Sequence, residues 1–108
     1  MTRQASLEMA GKIFSIEEIR DIVQEVAQQY GVERVWLFGS YARGEARPGS
    51  DIDLRIDKGR IRGLFQLSGF HLDIEEKLNT RVDVLTTESL DEKFLSRING
   101  EEIILYGQ

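Results

Sequence analysis

Gly39-Ser40-Tyr41-Ala42-Arg43-Gly44-Glu45-Ala46-Arg47-Pro48-Gly49-Ser50-Asp51-Ile52-Asp53-Leu54 follows the apolar run Val35-Trp36-Leu37-Phe38 and ends on two acids with apolar residues between and after them. The pattern predicts a strand, a turn carrying a short helix, and a second strand entered through the Pro48-Gly49-Ser50 turn. Side chains alternate between faces on a strand, so Asp51 and Asp53 point one way and Ile52, Leu54 and Ile56 the other. Two residues of rise separate the carboxylates by roughly 7 Å, a spacing that can hold a pair of divalent ions. Like charges on one face of a strand repel unless a cation offsets them, which favours a functional reading of the pair. Arg55 shares their face and could pair with one of these acids; Asp57 reads as an ordinary exposed residue at the strand end.

A third acid lies in Arg81-Val82-Asp83-Val84-Leu85, where the valines face one side and Asp83 the other. Placed beside the first acidic strand, Asp83 would join the same cluster. Gly39 allows a tight turn, and a helix starting there would aim backbone N–H groups at phosphate, with the Ser40 hydroxyl beside them. Gly44 and Gly49 have the glycine spacing of a Walker loop but lack the lysine that must follow. Arg43 and, less directly, Arg47 are candidates for charge-assisted contacts to a triphosphate.

The spaced Gly39-Ser40, Asp51-x-Asp53 and Asp83 on a separate apolar strand, with Tyr41-Ala42-Arg43-Gly44 after the serine, resemble the DNA polymerase beta-type nucleotidyltransferase superfamily. Within it the chain looks most like the minimal nucleotidyltransferases. The resemblance implies an α/β (α+β) fold with a small mixed sheet covered by helices. It also implies two Mg²⁺ ions on Asp51, Asp53 and Asp83, and ATP as substrate, with Gly39, Ser40 and Arg43 at its phosphates. Asp83 is then either a general base or a metal ligand. The implied partner is a separately encoded helical toxin of the HEPN type. This chain would be the antitoxin of the pair, transferring AMP to a hydroxyl, a tyrosine, of the toxin. The alternatives are an antitoxin that neutralises its partner by contact alone, and nucleotidyl transfer to a small molecule or an RNA end.

With 108 residues the chain is expected to form one domain, residues 13–108, behind a mobile N-terminal segment, residues 1–12. A formal net charge of −5 argues against a dedicated binder of the nucleic-acid backbone. Cysteine is absent, which removes disulfides and thiolate metal sites. No apolar run approaches the ~20 residues needed to span a bilayer, and the start of the chain lacks the apolar core of a signal peptide, so cytoplasmic residence is expected.

Ser15 and Glu18 form a capping-box pattern ahead of a stripe at Ile16, Ile19, Ile22, Val23, Val26 and Ala27, which Gly31 ends. Val32 to Phe38 reads as a central strand buried on both faces, with Trp36 in the core. An amphipathic helix is expected from about Ile61 to Asn79. Leu64, Leu67, His71, Ile74 and Leu78 define its buried face, widened by Phe65, Phe70 and Leu72. Gly69 within it would allow a bend or close packing, and His71, the sole histidine, reads as a satisfied or solvent-reaching helix residue rather than a ligand. Thr87, or Ser89 with Glu92, should cap a further helix bearing Leu90, Phe94, Leu95 and Ile98. Glu101 to Gly107 forms a last short strand or turn. Exposed apolar residues in these last two elements could serve a homodimer or a partner.

Overall fold

The computed structural model describes residues 12–107, so most of the segment expected to be mobile lies outside the described residues. Helix α1 (Ile16–Tyr30) opens with the capping box: the Ser15 hydroxyl accepts the Glu18 N–H at 3.0 Å while the Glu18 carboxylate accepts the Ser15 N–H at 2.9 Å. Its buried face, Ile19, Val23, Val26 and Ala27, follows the helical period, and Gly31 ends it in the left-handed conformation. Strand β1 (Arg34–Phe38) leads directly into the short helix α2 (Gly39–Arg43). Then come β2 (Ile52–Asp57), α3 (Gly63–Leu78), β3 (Val82–Thr86), a 3-10 turn (Thr87–Ser89), α4 (Glu92–Asn99) and β4 (Ile103–Tyr106).

The four strands lie in the order β3-β2-β1-β4, with β1 antiparallel to both neighbours and β2 parallel to β3, a mixed sheet as expected. Strand β2 alternates strictly between buried and half-buried, with Ile52, Leu54 and Ile56 inward. They form one core with Val35 and Leu37 of β1, Val82, Leu105, the stripe of α1, and Phe70, Ile74 and Leu78 of α3. Gly69 provides close packing, because a β-carbon there would stand 2.9 Å from the Tyr30 hydroxyl. His71 is satisfied, its Nε2 meeting the Val82 carbonyl and lying 3.5 Å from Glu75, which ties α3 to the start of β3.

Several expectations need correction. The α3 face is narrower than the sequence suggested: Leu64, Phe65 and Leu72 are exposed, because only the Leu67, Phe70, Ile74 and Leu78 side of the helix meets α1 and the sheet. The α4 cap is Asp91, whose carboxylate accepts the Phe94 N–H at 2.8 Å, while Ser89 donates instead to the Thr86 carbonyl. Strand β1 is central, but Trp36 is half-buried and belongs to the second face of the sheet rather than the core. There the Arg55 guanidinium stacks 3.7 Å from the centre of its ring.

Arg55 pairs with neither catalytic candidate. It makes two hydrogen bonds to Glu102, at 2.6 and 2.9 Å, and one to the Thr87 hydroxyl at 2.8 Å. Asp57 is not a free strand-end acid either, since it accepts from Arg34 at 3.0 Å and from Thr87 at 2.6 Å.

Candidate active site

The β1–β2 register places Phe38 opposite Asp53, so the turn into α2 and the acidic strand meet at one edge of the second sheet face. Gly39 has φ +78°, and a β-carbon there would lie 2.1 Å from Asp53 Oδ2. Glycine is required twice over, for the left-handed turn and for the approach of the carboxylate. Gly39→Ala is therefore expected to cost about 1–3 kcal/mol in backbone strain alone, and to push Asp53 out of place. Urea unfolding checks the first effect, and an unchanged midpoint would contradict it.

The parallel β2–β3 register sets Asp53 directly opposite Asp83. The third acid thus joins the first strand by pairing, although its sequence lies thirty residues further on. The Asp53 carboxyl is pushed up to about 6 by burial first, then by the charge and a hydrogen bond of Asp83, then by Asp51; Arg43 works weakly the other way. Asp51 stands just before β2, half-exposed, with Arg81 3.9 Å away.

These groups border a cleft of about 530 Å³ lined by Gly39, Ser40, Arg43, Asp51, Asp53 and Glu101, with Arg97 across from them on α4. Asp83 does not line it and meets it through Asp53. Arg47 lies outside it, in the exposed turn where its N–H bonds to Ser50. Arg43 is held by Glu45 at 2.9 Å and by Glu101 at 3.3 Å.

Two cleft residues escaped the sequence reading, Glu101 and Arg97. Neither carries a local signal. Strand β4 runs antiparallel to β1 with Leu37 opposite Ile103, and continuing that register brings Glu101 level with Gly39. Arg97 rests its guanidinium over the Phe94 ring, 5.3 Å from its centre, and makes no ion pair among the described residues.

The acidic side chains at the cleft offer carboxylate oxygens, the donor class a hard cation takes, and burial first and the neighbouring acids second disfavour the charged form of Asp53. Among the described residues, no group of three or more acidic or histidine side chains stands so that it could hold a metal ion.

A glycine turn between strand and short helix faces paired carboxylates on a mixed sheet, and the class of protein is a nucleotidyltransferase. The model of the nucleotidyltransferase domain matches residues 16–106, and the chain belongs to this family. It is similar to the protein adenylyltransferase MntA of Thermococcus cleftensis, 34% identical over 82 residues that span 72% of this chain and 83% of that one. A solved structure provisionally described as a minimal nucleotidyltransferase superposes with a TM-score of 0.73 at 32% identity, covering 86% of this chain and 98% of that chain. The fold also matches, at a TM-score of 0.66 and 15% identity over 86% of this chain and 73% of that chain, the Shewanella oneidensis complex of a tri-AMPylated HEPN toxin with its MNT antitoxin. No helix among the described residues is long and apolar enough to cross a membrane.

Proposed function

We propose that this chain is a protein adenylyltransferase that silences a HEPN-type helical toxin by transferring AMP from ATP to a toxin hydroxyl, a tyrosine. The observation that carries this reading is the meeting of Gly39, Asp51 and Asp53 at one cleft, with Asp83 paired to Asp53 on the neighbouring strand. The name of the MntA relative and the AMPylated toxin in the Shewanella complex support the partner and the group transferred.

Asp51, Asp53 and Asp83 would hold Mg²⁺, which supplies charge neutralisation at the phosphates and polarisation of the α-phosphate. The chain's own residues do the rest. Backbone N–H groups at Gly39 and Ser40, with the Ser40 hydroxyl, grip the phosphates, and Arg43 and Arg97 flank the triphosphate with charge. A toxin hydroxyl attacks the α-phosphorus; its oxygen forms the new bond as the bond to the β-phosphate oxygen breaks and pyrophosphate leaves. The hydroxyl proton passes to a carboxylate, and Asp83, exposed beside Asp53, is the candidate unless it serves only as a metal ligand.

Intact-mass spectrometry of the co-expressed toxin partner, incubated with this protein, ATP and Mg²⁺, tests the reading. Mass should rise in whole AMP units, and the rise should vanish with Asp51→Asn/Asp53→Asn. No rise, with the toxin still neutralised by that variant, would leave an antitoxin that acts by contact alone.

A further inference from the structure

We propose that Glu101 is a resident occupant of the phosphate cradle, a built-in competitor that the incoming triphosphate must displace and that sets the affinity for nucleotide. The proposal rests on the nucleotide-transfer reading above and deepens it.

Helix α2 has no side-chain cap, so its first N–H groups need an acceptor from elsewhere. Glu101 supplies one: its Oε2 accepts the Gly39 N–H at 2.8 Å. The same carboxylate lies 3.3 and 3.4 Å from Arg43 Nη1. One anion thus takes both a backbone N–H of the glycine turn and the guanidinium beside it, the two donors a phosphate would use.

This carboxylate is not a loose side chain that drifted in. The N–H groups of Glu101 and Glu102 both bond to the Ile98 carbonyl, at 3.0 and 3.1 Å. Glu102 is clamped by Arg55 in a nearly buried pair, and β4 follows at once. The backbone is fixed on both sides, so Glu101 is held over the cradle by the fold and can leave it only by rotating its side chain. Its side chain is 22% exposed, open enough to move.

A chain with acids at Asp51, Asp53 and Asp83 gains nothing electrostatically by adding a fourth carboxylate to the same cleft, unless that carboxylate satisfies the empty donors between substrates. The consequence is a closed fraction that weakens apparent affinity in proportion. Removing the competitor should remove that penalty.

Titration of ATP into the full chain by calorimetry, once with Mg²⁺ and once with chelator, on wild type, Glu101→Gln and Glu101→Ala, tests this. Both variants should bind about five- to tenfold more tightly in both conditions. Unchanged or weaker binding overturns the competitor role, and weakening confined to the Mg²⁺ titration would make Glu101 a metal ligand instead. Binding by none of the three chains, with all folded by circular dichroism, removes the nucleotide reading and the proposal together. The Gln variant, nearly isosteric, guards against a folding defect in the Ala variant.

Discussion

Asp53→Asn is expected to end AMP transfer while making the protein more stable. The folded chain keeps a proton on Asp53 up to about pH 6, whereas an ordinary aspartate releases it near 3.8. Between those values the folded state binds more protons than the unfolded state, so raising the pH removes stability. The loss is complete above about pH 6 and absent below about pH 4. A two-unit shift corresponds to about 3 kcal/mol at most. Because the side chain is only half-buried, solvent screening reduces this to about 1 kcal/mol.

Asparagine keeps the shape without the charge. At neutral pH the variant should therefore melt about 4–8 °C higher, and the fall in stability between pH 4 and 6 should flatten. Transfer of AMP should fall at least about 100-fold, because the proposed reaction needs the Asp53 carboxylate to hold Mg²⁺ at the phosphates. Thermal melts across pH 4 to 8 check the first claim. A variant less stable than wild type at pH 7 would mean that the carboxylates do not strain the fold.

Glu102→Ala should have the opposite effect, a loss of about 3–5 kcal/mol. The Arg55 and Glu102 side chains are only 11% and 6% exposed, and their two hydrogen bonds run in parallel from one guanidinium edge. Deleting the acid leaves Arg55 stacked on Trp36 with Thr87 as its remaining hydrogen-bond partner. Domains of this size are stable by only about 5–15 kcal/mol, so the variant should sit close to unfolding at 37 °C. The double variant Arg55→Met/Glu102→Leu removes both charges and should recover most of the loss. Urea midpoints for the single and double variants decide the matter. A single variant within about 1 kcal/mol of wild type would show that water reaches the pair and screens it. The same pair pins the residue that follows Glu101, so its loss should also loosen the carboxylate in the cradle.

The sequence alone determined the parts of this protein that depend on neighbours along the chain. The capping box of α1, the glycine turn after β1, the alternation that turns Asp53 away from the core and the strand carrying Asp83 all follow from covalent geometry and short hydrogen bonds. Those features were legible because each needs only a few consecutive residues.

The tertiary structure decided whatever depends on register between distant strands. Arg55 found Glu102, 47 residues away, rather than the acids on its own strand. Trp36, apolar enough for a core, became the platform for that arginine because β1 turns it to the second sheet face. Leu64, Phe65 and Leu72 carry an apolar pattern yet stay exposed, since only one side of α3 finds a surface to cover. Glu101 reached Gly39 across 62 residues because β4 lies antiparallel beside β1. A carboxylate's partner is set by which strand ends come together in space, and one-dimensional spacing carries no record of that pairing.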